Sequence, residues 1–140
     1  MKNSPLLFAL ALAILTGCST TTPQKQAVSG GKHSPETVLV TYHVKAGKEA
    51  EFEQVLARAW SIYTAEHLVF AKPHVIVRDG EGTSKPRFVE IFTWVSHSAP
   101  DHAPDSVKNL WNEMQSLCEA RDSHGGLEGG EVEIIEPKAR

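Results

Sequence analysis

Three residues of this sequence could do acid–base and stacking chemistry together: His43, Glu90 and Trp94. A histidine beside a carboxylate can act as a general base near neutral pH, because its own ionisation falls there. A neighbouring indole offers a flat face on which an aromatic molecule can stack. Phe92, Tyr42 and His74 complete the set expected to touch a small bound ligand. The competing reading gives His43 and Glu90 a structural part, as a buried polar pair inside an interface. Paired groups with shifted ionisation are found in both settings.

Other reactive side chains read more plainly. His97, Asp101 and His102 form a small loop cluster, but their spacing matches no metal-site signature. They read as solvated residues at a rim, and His67, His74 and His124 are scattered. Cys118 lies on an apolar helical stripe beside Met114 and Leu117, where a free thiol behaves as a small core residue. Trp60 and Trp111 read as packing residues. The chain carries no G-x-G-x-x-G, P-loop, G-x-S-x-G or H-E-x-x-H motif, which argues against nucleotide-dependent chemistry and against serine or zinc hydrolysis. No cofactor and no metal is expected.

The elements that must position these residues begin beyond an export segment. The 140-residue chain opens Met1-Lys2-Asn3 and then runs apolar from Leu6 to Leu15, ending Leu15-Thr16-Gly17-Cys18. One positive charge before a short apolar run is a signal-peptide pattern, and the run is shorter than the ~20 residues a spanning helix needs. The last four residues resemble the bacterial lipobox. That resemblance implies cleavage after residue 17 and a lipid joined to Cys18, palmitate-type acyl chains included. Two or more such chains anchor a protein stably to a membrane. Ser19 in place of an aspartate implies an outer-membrane address, on the periplasmic face of the cell envelope. Residues 18–35 are rich in Ser, Thr, Gly and Pro and read as a flexible tether. The formal net charge of −3 becomes one unit more negative once Lys2 is removed, so nothing suggests a nucleic-acid partner. With Cys18 acylated, Cys118 is the one free thiol.

Residues 36–136 should form one domain, with 137–140 as a tail. Thr37–Lys45 is β-branched and reads as a strand. From Glu49 to about Glu66, Phe52, Val55, Leu56, Ala59, Ile62 and Tyr63 recur at helical spacing. Pro73 breaks the pattern, and His74–Arg78 and Arg87–Val95 read as a hairpin around a polar loop. Pro104 suits the first position of a helix whose stripe is Val107, Leu110, Trp111, Met114, Leu117 and Cys118. Glu131–Glu136 is the expected last strand.

The order β-α-β-β-α-β defines a ferredoxin-like α+β fold: a four-stranded antiparallel sheet with both helices on one face. Hydrophobicity places Val38, Val40, Tyr42, Val44, Val75, Val77, Val89 and Ile91 under the helices. Alternation then puts His43, His74, Ile76, Glu90, Phe92 and Trp94 on the bare face. A bare face carrying such a patch calls for a partner, and a homodimer with sheet against sheet is expected.

This order, with the strand Val89–Val95 and Ser96 ahead of the second helix, resembles the antibiotic-biosynthesis-monooxygenase-like dimeric α+β barrels. Glu90 and Trp94 echo the family's acidic–x–Trp–x–Ser strand end, although Glu90 lies four residues before Trp94 instead of two. The resemblance covers about residues 37–136. It implies a dimer and a pocket between sheet and helices for a small, flat aromatic molecule. With the anchor, three functions stay open: a membrane-tethered domain of this type that binds a small ligand, a cofactor-independent monooxygenase acting on a flat aromatic substrate, or a purely structural envelope protein. Trp94 looks like the tryptophan of the haem-degrading members. The first strand has no asparagine to match theirs, which argues against haem degradation.

Overall fold

A computed structural model describes residues 33–79 and 84–137. The export segment, Cys18 and most of the tether lie outside the described residues. The elements are β1 (Glu36–His43), α1 (Glu49–Ala65), β2 (Val69–Arg78), β3 (Arg87–Trp94), a 3-10 turn (Pro100–His102), α2 (Asp105–Leu117) and β4 (Leu127–Glu131). The sheet runs β2-β3-β1-β4 with every neighbouring pair antiparallel. This is the ferredoxin-like α+β fold, with the first and third strands in the centre.

Helix α1 forms where expected, because Phe52, Val55, Leu56, Ala59 and Tyr63 make one buried stripe. Glu49 and Glu51 stand in its first turn, where negative charge meets the exposed N–H groups. It ends in a Schellman arrangement: His67 takes a φ of 54°, Leu68 N–H donates to the Tyr63 carbonyl and His67 N–H to that of Thr64. Helix α2 buries Val107, Leu110, Met114 and Leu117, and Pro104 caps it, one position earlier than expected.

Two strands depart from the expected bounds. β2 starts at Val69 and passes through Pro73, with a register shift between Val69 and His74. It is an edge strand, where a proline with no N–H to donate can sit at an irregularity without breaking a central ladder. β4 uses Leu127–Glu131 and not Glu131–Glu136. The turn at Arg121–His124 delivers the chain to β1 early, so Leu127 pairs with Tyr42 and Gly129 with Val40. Ile134 and Ile135, taken as strand residues from their hydrophobicity, remain 50% and 71% exposed.

The faces of the sheet also differ from expectation. Residues directly opposite in an antiparallel ladder share a face. Val38 pairs with Phe92, Val40 with Glu90 and Tyr42 with Phe88; His74 pairs with Phe92 and Ile76 with Glu90. So Phe88, Glu90, Phe92, Trp94, His74 and Ile76 lie under the helices with Val38, Val40 and Tyr42. The bare face carries Leu39, Thr41, His43, Val75, Val77, Val89 and Ile91. Both faces are apolar enough that alternation alone cannot choose, and a one-residue slip of register exchanges them completely.

Candidate functional site

Beneath α2 the core is incomplete. A cavity of about 320 Å³ opens between the helix and the sheet, lined by Val40, Tyr42, Tyr63, Phe92, Trp94, Trp111, Asn112, Met114, Gln115 and Leu127. β1 and β3 deliver Tyr42, Phe92 and Trp94 to one face by alternation; α1 lowers Tyr63 from the side, and α2 closes the roof with Trp111 and Met114. The rings brace one another. Phe92 and Trp94 meet edge-on at 4.9 Å, Tyr63 lies 5.4 Å from Trp94, and Trp94 meets Trp111 edge-on at 6.4 Å. Such tilted contacts suit ring quadrupoles and fix the walls.

The polar groups here have defined roles. Trp111 Nε1 donates to the Tyr63 hydroxyl oxygen at 2.6 Å. Tyr42 donates its hydroxyl to Glu90 Oε2 at 2.8 Å, and His74 Nε2 lies 2.9 Å from Glu90 Oε1. Glu90 is 2% exposed, so both partners are needed to offset the loss of water around a carboxylate. Burial, and then the Glu90 charge, hold the Tyr42 hydroxyl well above the ordinary tyrosine range. Burial also raises that of Tyr63, against the lowering effect of the Trp111 N–H. Both phenols therefore stay protonated at neutral pH and can donate hydrogen bonds. His74 stacks on Trp60 with centroids 3.4 Å apart and planes 9° from parallel.

Of the residues singled out in the sequence, Tyr42, Phe92 and Trp94 gather around the cavity, and Glu90 and His74 stand directly behind Tyr42. His43 does not join them. It is one residue beyond Tyr42, so it projects to the bare face, opposite Arg87 and stacked near His124 with centroids 6.1 Å apart. The expected His43–Glu90 pair on one face is corrected by the register: the histidine beside Glu90 is His74. The loop histidines do not converge either. His97 Nδ1 lies 3.1 Å from Glu36, and His102 Nδ1 donates to the Ser98 carbonyl. Among the described residues, no group of three or more His, Cys, Asp or Glu side chains could hold a metal ion. Cys118 is buried, and burial pushes its thiol up to about 11.

Sequence reasoning missed Tyr63, Trp111 and Trp60 as site residues. The available signal was polar-tipped aromatic residues on the inward stripes of both helices, where a plain core would place Leu or Phe.

No protein-family model and no curated protein matches the sequence. Solved structures do match in fold. SnoaB, a cofactor-independent oxygenase from Streptomyces nogalater, superposes with a TM-score of 0.54 at 21% identity, over 74% of this chain and 96% of that one. A Caulobacter crescentus protein named for antibiotic biosynthesis monooxygenases gives 0.55 at 18% identity, over 75% and 93%. A conserved protein from Methanosarcina mazei gives 0.55 at 13%, over 72% and 93%. At these identities the likeness is one of fold.

Proposed function

We propose that this protein binds a small, flat aromatic molecule in the cavity beneath α2, as a homodimeric domain tethered to the cell envelope through lipidated Cys18. The observation that carries the binding reading is the cavity itself. Five aromatic side chains line about 320 Å³ of space, the two tyrosines Tyr42 and Tyr63 among them. An apolar space with a few placed polar groups is what a small-molecule site requires. The dimer rests on the bare face of the sheet, where Val75 and Val77 are about half exposed beside Leu39, Val89 and Ile91. The anchor rests on the Leu15-Thr16-Gly17-Cys18 pattern.

The test is quenching of tryptophan emission by a naphthoquinone. Saturable quenching is expected for the wild type. Val40→Phe fills the cavity from the sheet and should weaken binding at least about tenfold, or about 1.4 kcal/mol, without unfolding the domain. Unchanged binding in that variant would place the ligand elsewhere. Labelling with an alkyne fatty acid, lost in Cys18→Ser, tests the anchor.

A second reading, a cofactor-independent monooxygenase, is favoured by the contact of the Tyr42–Glu90–His74 chain with the cavity and by the fold shared with SnoaB. Oxygen uptake with quinol-like substrates separates the two, since a pure binder consumes none.

A further inference from the structure

Glu90 occupies a singular place between two spaces. Its Oε2 accepts from Tyr42, which lines the aromatic cavity. Its Oε1 meets His74, which lines a separate groove of about 390 Å³ between α1 and β2, with Glu53, Trp60 and Ile76. This chain of three is a continuous polar route between the cavity and that groove. A buried carboxylate is a poor choice for mere packing, because an apolar residue of similar volume is often as stable or better.

We propose that Tyr42, Glu90 and His74 form a proton path, so that a phenolic ligand in the cavity gives up its proton to His74 without touching it. The inference rests on the cavity being the ligand site. With His74 neutral and bare at Nε2, the one proton of the 2.9 Å contact sits on Glu90 Oε1. The ligand O–H bond breaks and its proton moves to the Tyr42 oxygen; the Tyr42 proton moves to Glu90 Oε2, and the Oε1 proton moves to His74 Nε2. The products are a ligand phenolate and a His74 imidazolium; Tyr42 is again a hydroxyl, and Glu90 again carries one proton, now on Oε2. No oxidant or reductant takes part.

The surroundings suit the imidazolium. It donates Nε2–H to Glu90 Oε1 of β3 at 2.9 Å and lies flat against the Trp60 indole from α1, a cation–π geometry. Glu53 of α1 faces the same groove and is paired with Arg78 of β2 at 3.3 Å. The His74 side chain is 19% exposed, which allows exchange with water.

The experiment follows the His74 ring by NMR while the pH is varied, with saturating 4-nitrophenol or 4-nitroanisole bound. The two probes share a ring, but the anisole has no proton to give. Nitrophenol is expected to move the His74 titration upward by about one pH unit, a tenfold coupling, and nitroanisole to leave it in place. Tyr42→Phe and Glu90→Gln should each abolish the shift at a nitrophenol concentration that saturates the variant, as read by quenching of tryptophan emission. If both probes bind and His74 does not respond, or if it responds equally in Tyr42→Phe, the path is overturned and the cavity reading stands. If neither probe binds the wild type, the cavity reading fails and takes the path with it.

Discussion

The two faces of the sheet are both apolar but differ in kind. The helix face is built of rings: Tyr42, Phe88, Phe92 and Trp94, with one carboxylate, Glu90, set among them and almost wholly buried. The bare face is built of aliphatic side chains, Leu39, Val75, Val77, Val89 and Ile91, and exposes Val75 by 47% and Val77 by 53%. Rings with polar tips leave gaps and offer directional contacts, which is what a ligand needs. Branched aliphatic side chains make a smooth surface with no hydrogen-bonding demands, which is what a second copy of the same sheet needs. Neighbouring residues on one strand thus meet different surroundings by the pleat alone.

The sharpest way to break this contrast is to cut into each face. Phe92, 2% exposed, holds two walls of the cavity, and Phe92→Ala should cost about 3–5 kcal/mol of stability in urea denaturation. Val77→Thr, on the bare face of the same hairpin, should change it by no more than about 0.5 kcal/mol in the isolated chain. Equal losses would mean that the faces are not distinct.

Association should behave in the opposite way. Ile91→Asp places a charge in the middle of the aliphatic face, where a partner sheet would have to bury it unpaired. Dimer dissociation measured by sedimentation is expected to rise at least about 100-fold, or about 2.7 kcal/mol, with the circular dichroism of the fold unchanged. A wild-type protein that sediments as a single copy at high concentration would remove the argument for pairing on this face.

Alkali offers a way to attack the helix face selectively. The Cys118 thiol is raised from 9.0 to about 11 by burial, and Tyr42 and Tyr63 are raised as well. In each case the unfolded chain ionises first and binds fewer protons, so stability falls as pH rises. For Cys118 the contribution is complete below about pH 9 and is lost between about pH 9 and pH 11, amounting to about 2–3 kcal/mol. Cys118→Ala should flatten that part of the alkaline unfolding curve, and the tyrosines should leave a residual slope above it. An alkaline limb identical in wild type and Cys118→Ala would show that the thiol is in contact with water.

Most of the architecture could be read from the sequence, because both helices carry one clean stripe and the strand order follows from the element order. The faces could not. Val89 and Ile91 score as better core residues than Glu90 and Phe92, and only the pairing of Tyr42 with Phe88 and of Val40 with Glu90 shows which set faces inward. The site was legible to the same degree. Tyr42, Phe92, Trp94, Glu90 and His74 were identified as a set, but His43 was attached to it by the inverted register. Tyr63, Trp60 and Trp111 were hidden, since a helix stripe does not reveal whether an aromatic ring fills space or borders it.

The last strand is the finest test of how hydrophobicity misleads. EVEIIE has the stronger β propensity, yet LEGGE takes the place beside β1. Geometry decides: Gly126 lies so close to the end of α2 that an added Cβ would stand 3.0 Å from the Glu119 nitrogen and 3.1 Å from Cys118 Cβ. That close approach starts the pairing of β4 immediately, and the sequence from Leu127 must follow. Ile134 and Ile135 are then left beyond the strand, so replacing both by Thr should shift stability by no more than about 0.5 kcal/mol. A loss above about 2 kcal/mol in urea denaturation would mean that the isoleucines occupy the edge of the sheet, with the ladder slid along β1 and Leu127 withdrawn from the cavity.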